Sequence, residues 1–475
     1  MSQTINILFL AAEAEPFIKV GGLGDVAGSL PRALRALSND DIKLDVRLVL
    51  PYHPAIKADT LKPLGMFSLV RGNAEIQAEI FESVLNGMPV YFIGGEPIHA
   101  NGSVYSSNYG LDAEKYTFFS LAALELPHHI NWLPDVIHGN DWHTALSIYG
   151  SLTKRWEEGS RHIASVIAVH NLPFMGPDIS AVLESYGVQL AQTDLPDWAR
   201  VMPLPLGLWA SDAIVAVSPT YGREILAEQY GCGLDSFLRS RGEAVSGILN
   251  GLDTDSFNPA DDSALGANFD ILTLEKRAIN KSFLQERLGL PRDPETPLLA
   301  MVSRMDLQKG VDLVFAALKM MKRQKWQAVI LGTGDPKLEE AALELQALFP
   351  DRVKVETRYD GSLARQIYAG SDMFLMPSRY EPCGLSQMIS MRYGCVPIVR
   401  AAGGLNDTVT HGVTGFVFEK PHHMALTAAI KSALKIFTDP QKWQAIQRAG
   451  MAQDFSWQNS ATQYLKLYQS IMKKP

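Results

Sequence analysis

The sequence is poor in cysteine, in unbroken apolar stretches and in clustered positive charge. Its three cysteines, Cys232, Cys383 and Cys395, are widely spaced and form no CxxC pair. That spacing excludes a disulfide framework and a structural zinc site, and it fits a reducing, cytoplasmic compartment. A plastid stroma would fit equally for a mature organellar form. No apolar run reaches the roughly 18 residues that a membrane-spanning helix needs. The start of the chain lacks the basic and apolar regions of a signal peptide. There is no Lys/Arg-rich arm, and 43 basic against 51 acidic side chains leave a net charge of −8. Neither nucleic acid nor a membrane is therefore expected as a partner.

What is present is an ordinary globular composition, 47% hydrophobic and 20% charged, over 475 residues. That length exceeds one ordinary core and predicts two domains. Short apolar runs alternate with helix-period segments throughout, the α/β pattern. Strands are expected at 5–11, 46–50, 90–93, 136–138, 166–170 and 214–217, their continuous apolar character suiting a buried parallel sheet. Helices are expected at 26–37 and 113–126. A second set of strands follows at 298–302, 328–331, 353–355, 373–376 and 397–399, with helices at 311–325, 337–348, 362–369 and 387–393. The fold class is thus α/β, with two doubly wound, Rossmann-like domains. Turn signals at Asn250-Gly251 and Asn258-Pro259 put the join within 245–259. The domains are read as 1–248 and 249–455, followed by a helical segment, 456–475.

Ligands of doubly wound sheets bind beyond the carboxyl ends of the strands, so the loops there carry the chemistry. The first is Lys19-Val20-Gly21-Gly22-Leu23-Gly24-Asp25, between a strand and a helix. Its glycines let the backbone approach a ligand, and the helix N-terminus favours an anion. Its spacing is neither GxGxxG nor the Walker pattern; glycines alone would equally suit a tight turn. In the second half, Arg304 at a strand end and Lys309 before a helix are placed to converge on a diphosphate. A further loop, residues 377–387, carries Glu381, Cys383 and Gly384. Backbone N–H groups of Leu385, Ser386 and Gln387 could face phosphate, Ser386 reads as an N-cap, and Glu381 could accept from sugar hydroxyls.

These motifs, in order KVGGLGD (19–25), His170-Asn171-Leu172, VSPTY (217–221), Asn250-Gly251-Leu252-Asp253, the segment 303–310, GTGDP (332–336) and YEPCGLSQ (380–387), resemble the bacterial glycogen synthases and plant starch synthases. The resemblance runs nearly end to end. It implies the GT-B fold, with two Rossmann-like domains closing on an interdomain cleft, and the helix at 457–472 crossing back to the first domain. It implies retaining transfer of glucose from ADP-glucose to the non-reducing end of an α-1,4-glucan such as glycogen, starch or a maltooligosaccharide, with no cofactor and no metal. By the same match, Lys19, Arg304, Lys309, Gly22, Leu385 and Ser386 hold the diphosphate, and Tyr359 stacks on adenine. Asp25, Asp141, Asn250, Glu381, Cys383 and Gly384 line the sugar or acceptor site. His170, Asp141, Arg304, Lys309 and Glu381 are the catalytic set.

Several features point elsewhere. Asp253-Thr254-Asp255 is a DxD, the metal motif of the other large glycosyltransferase fold, but it sits in the interdomain turn. His138, Asp141 and His143 lack a matching Cys or carboxylate cluster. Cys383 lacks a general base and reads as a packing residue, not a nucleophile. The sequence also departs from the family twice: Pro173-Phe174-Met175-Gly176 replaces AYQG, and the apolar segment 204–210 replaces an FLKAG-type segment with its charge. Both fall in the acceptor-side domain. They keep open a related retaining transferase using UDP-glucose or another acceptor such as a small sugar phosphate, or a non-catalytic glucan-binding scaffold.

Overall fold

A computed structural model describes residues 3–57, 61–100, 102–155 and 163–473. The chain divides into two units, Met1–Gly251 with Trp457–Pro475, and Leu252–Ser456.

The first unit is built on nine strands: β1 (Gln3–Leu10), β2 (Ile42–Pro51), β3 (Lys62–Arg71), β4 (Ala74–Leu85), β5 (Met88–Gly94), β6 (Val136–Asn140), β7 (Ala164–Val169), β8 (Ala213–Ala216) and β9 (Val245–Gly247). Their order is β3-β4-β5-β2-β1-β6-β7-β8-β9. From β5 to β9 every pairing is parallel. The expected all-parallel sheet is corrected at one edge, where β3 and β4 add antiparallel strands. Their faces are largely exposed, so they lack the continuous apolar run of a buried strand. The expected strand 166–170 ends at Val169, leaving His170 just beyond it. β1, β2, β5, β6, β7 and β8 bury their apolar residues between helices on both faces. The helix Trp457–Ile471 closes one face, setting Trp457, Tyr464, Tyr468 and Ile471 against a core that includes Phe9, Val26 and Ile248.

The second unit holds β10 (Leu298–Val302), β11 (Gln327–Leu331), β12 (Val353–Glu356), β13 (Met373–Met376), β14 (Val396–Arg400) and β15 (Phe416–Phe418). All pairings are parallel, in the order β12-β11-β10-β13-β14-β15. This is the 3-2-1-4-5-6 arrangement of dinucleotide-binding domains. β9 and β15, three residues each, were not anticipated; such short edge strands carry almost no periodicity. The expected helix 311–325 ends at Met320.

Each sheet reverses its strand order once, between β1 and β6 in the first unit and between β10 and β13 in the second. Loops leaving strands on either side of such a point splay apart and open a crevice. Most of the candidate residues lie on loops leaving those strands or β7.

Candidate active site

In the first unit, Gly21 is the extended residue preceding the helix Gly22–Ala36. The N–H groups of Gly22 and Leu23 therefore belong to the first helical turn, where no intrahelical acceptor exists. Those just before them are taken. Glu13, almost completely buried, accepts from Val20 N–H and, at 3.0 Å, from Gly21 N–H. Tyr105 donates to the same carboxylate at 2.9 Å. Burial pushes the Glu13 pKa up against these bonds. The expectation of a whole glycine loop open to phosphate is thus narrowed to its helical end.

Lys19 donates to Asp25 at 2.6 Å and to Glu15 at 2.8 Å. Burial disfavours its charge, but the two carboxylates outweigh burial and raise its pKa. Lys19 and Asp25, expected to serve different parts of a ligand, are brought together.

Asp141 follows β6 with φ 55°. Its Oδ1 accepts from His170 N–H at 2.7 Å and Asn171 N–H at 3.3 Å, tying the end of β6 to the end of β7. Burial pushes its carboxyl up to about 7, against those bonds. Burial also drives the His170 ring down to about 4, so it is neutral near pH 7. Asn250 is buried, with its Oδ1 lacking a partner among the described residues. An unpaired buried amide oxygen is costly and suits a group that a ligand completes.

The metal-like signals have structural explanations. Asp253 Oδ1 accepts from the N–H groups of Asp255 and Ser256, an Asx turn. His138 is fully buried, its Nδ1 2.6 Å from Tyr468 Oη. His143 lies among the rings of Tyr105, Tyr116 and Trp142.

Both family departures fall near this region. After Asn171 the chain turns through Phe174 N–H to Asn171 O at 3.1 Å, leaving Phe174 61% exposed and Met175 buried. Residues 204–210 lie in a helix, Pro203–Ala210, whose Leu204, Leu206 and Leu208 have no exposed surface. Its apolar character is that of a packed element, Gly207 lying against Ala145.

In the second unit two loops are knitted together. Arg379 N–H donates to Gln308 O at 2.7 Å, and its guanidinium grips Asp312 with two bonds of 2.7 Å. Arg400, from the end of β14, donates to the carbonyls of Ser378 and Arg379. Gly310 has φ 71°, and a Cβ there would press on Pro377 O. This framework sets Lys309 Nζ 2.9 and 2.8 Å from the two oxygens of Glu381. Ser378 donates to Glu381 at 2.9 Å. Glu381 is 5% exposed. A buried carboxylate persists as an ion only when paired and hydrogen-bonded, as here.

Gly384 has φ 73°, a left-handed turn that only glycine adopts without strain, and its Cβ would collide with Gln387. Gln387 Nε2 donates to Cys383 O, Gly384 O and Thr408 Oγ1, pinning the loop. Cys383 itself is buried. Ser386 is not the N-cap. Leu385 occupies that position without a side-chain cap, and Ser386 opens the helix Ser386–Arg392. The Ser386 hydroxyl bonds instead to Tyr368. Arg304 stays largely exposed, 3.2 Å from Asp306. Tyr359 is 88% exposed just before the helix Gly361–Gly370.

Sequence reading missed Glu13, Tyr105, Asn140, Ser378 and Arg400; Tyr105, Asn140 and Arg400 meet partners distant in the chain, whereas Glu13 and Ser378 meet groups within eight residues. For Gln387 only the backbone N–H was anticipated; its side chain pins the loop.

The starch synthase catalytic domain family model matches residues 6–240, and the glycosyl transferases group 1 model matches residues 284–449. The chain is 39% identical to the glycogen synthase of Streptococcus sanguinis (strain SK36), covering 98% of this chain and 100% of that protein. It is 38% identical to the glycogen synthase of Clostridium novyi (strain NT), covering 99% and 100%. Among solved structures it is similar to the catalytic domain of starch synthase IV from Arabidopsis thaliana bound to ADP and acarbose, with TM-score 0.90, 31% identity, and 99% and 100% of the two chains covered. Sucrose-phosphate synthase from Thermosynechococcus elongatus, at 20% identity and TM-score 0.63, shares the fold. On full-length likeness in sequence and in structure, the chain belongs to the glycogen synthase and starch synthase family of GT-B glycosyltransferases.

Proposed function

We propose that this glycogen/starch synthase uses ADP-glucose as donor and extends the non-reducing end of an α-1,4-glucan with retention, without a metal. The observation that carries the reading is the buried, doubly bonded Lys309–Glu381 pair on the loops after β10 and β13. The adenine preference is supported by the similar Arabidopsis enzyme, which was solved with ADP, and by the exposed ring of Tyr359.

The leaving nucleoside diphosphate gains negative charge as the anomeric carbon gains positive charge. Arg304 and Lys309 supply fixed positive charge, and the helix start at Ser386 supplies N–H donors. Lys309 has three N–H bonds and spends two on Glu381, so a diphosphate can compete for it. Glu381 is then released toward sugar hydroxyls while Ser378 still orients it. In the first unit, Lys19 and the helix start at Gly22 serve the diphosphate, and Asp25, Asp141, His170 and Asn250 serve the glucose and the acceptor. Phe174 offers an apolar face to an acceptor sugar.

The test is transfer from labelled ADP-glucose or UDP-glucose to glycogen, to maltooligosaccharide, or without acceptor, with and without EDTA. Transfer from ADP-glucose to glucan, unchanged by EDTA, is expected. Transfer from UDP-glucose alone overturns the donor assignment, and loss in EDTA overturns metal independence. Absence of transfer from either donor leaves the scaffold reading.

A further inference from the structure

Asn140, the last residue of β6, is held on all sides. Its N–H donates to Thr144 Oγ1 at 2.6 Å, and its carbonyl accepts from that hydroxyl at 3.0 Å. Its side chain has no exposed surface, and Nδ2 donates to Leu10 O at 2.8 Å, at the end of β1. That bond decides which end of the amide meets His170: Oδ1 lies 2.9 Å from the ring Nε2. An amide oxygen only accepts, so Nε2 carries the hydrogen and Nδ1 the lone pair. We infer that Asn140 is a positioning residue that holds His170 as the neutral Nε2–H tautomer, leaving Nδ1 to accept from a substrate hydroxyl.

The choice of an amide matters. A carboxylate at the same place would stabilise an imidazolium, and a cation there would oppose the positive charge that develops at the anomeric carbon. Asp141, the next residue, is turned by its positive φ and addresses the backbone of His170, not the ring. The titratable rings in electrostatic contact with His170 are His138 and His143, and burial holds both neutral near pH 7. Burial acts on His170 in the same direction. Asn140 thus fixes the orientation and tautomer of a ring that its surroundings already keep uncharged. The inference rests on His170 acting at the reacting sugar, but the tautomer is observable without activity.

The experiment is a long-range proton–nitrogen spectrum of the full-length protein labelled in histidine, with His170 identified by the signal lost in His170→Gln. The expected spectrum shows protonation at Nε2 and no titration near neutrality. In Asn140→Asp, His170 should titrate at least about one pH unit higher, and the acid limb of the kcat profile should move up with it. In Asn140→Ala, the two tautomers should mix and kcat should fall on the order of tenfold or more, as when another tautomer-fixing partner is lost. Protonation at Nδ1 in the unaltered protein overturns the inference, whether or not the variants fold. So does an unshifted His170 titration in a folded Asn140→Asp. Full activity of His170→Gln beside the expected tautomer removes the catalytic reading of His170 and still supports the role of Asn140 toward the ring.

Discussion

Glu381 and Lys309 are 72 residues apart, and each looked like an independent ligand-binding side chain. Residue type and motif position were legible; their pairing was not, because it depends on the Arg379–Asp312 clasp and on Arg400 holding two loops in register. Glu13 was illegible for a similar reason. A carboxylate inside an apolar stretch has no sequence signal for the N–H groups it meets seven and eight residues later. The pairing changes what a substitution should do. Glu381→Gln keeps one acceptor oxygen, which Ser378 and Lys309 can share, and removes the charge. Turnover should fall on the order of a hundredfold or more, while ADP binding holds or tightens because Lys309 is no longer neutralised. Calorimetric titration with ADP checks this, and a tenfold loss of ADP affinity would show that Glu381 shapes the diphosphate site itself. Asp141→Asn addresses another buried carboxyl. Its pKa, raised to about 7, lies above the unfolded value, so the stability it contributes is present below that value and is lost as pH rises through 7. The amide keeps the acceptor for His170 and Asn171, so the variant should be less sensitive to that rise, as seen in thermal melts on either side of neutrality.

At the scale of elements, the central strands announced themselves through apolar runs, and the loops that matter were found at their carboxyl ends. The β3–β4 hairpin escaped because one side of it faces water. A turn signal beside it was nonetheless present: Asn86-Gly87, both with positive φ, joins β4 to β5, the two-residue turn that fits strand twist. A tighter constraint lies at Gly403 and Gly404, which open the helix Gly403–Thr408 against the backbone of Glu381, Pro382 and Cys383. A Cβ on Gly404 would overlap the Cys383 carbonyl. Overpacking of this kind costs about 1–3 kcal/mol, and here the strain falls on the loop that carries Glu381. Gly404→Ala should therefore reduce kcat more than tenfold with a modest loss of melting temperature. Full activity in that variant would mean that the loop tolerates displacement.

Across the molecule, the buried histidines His53, His138 and His143 and the half-buried His170 all belong to the first unit. Burial drives their pKa values down, to about 4 for His53 and His170 and about 3 for His138. A depressed pKa adds stability above the unfolded value of about 6.5, and this stability is lost as pH falls toward the folded values. Asp141 and Glu13 act in the opposite sense, two carboxyls against four rings. The first unit should thus unfold in mild acid, between about pH 6 and 4, ahead of the second. Calorimetric scans over that range should show one transition moving down faster than the other; parallel movement would contradict the account. Removing residues 457–473 should be similarly selective, uncovering Phe9 and Val26 and leaving His138 without Tyr468. Each lost large side chain is worth about 1.5–3 kcal/mol, so the first unit should fail to fold without this helix.

The chain leaves the first unit after Gly251 and returns to it at Trp457. Leu252 and Phe455 are joined by a backbone bond of 2.6 Å, so the intervening 205 residues begin and end side by side. During synthesis, the first unit emerges early with one face of its sheet uncovered, and that face stays open until the whole second unit has been made. A ribosome that stalls anywhere in the second unit leaves an apolar surface for chaperones to guard. The covering helix thereby acts as a check on progress, sealing the first unit only when the second has already been translated.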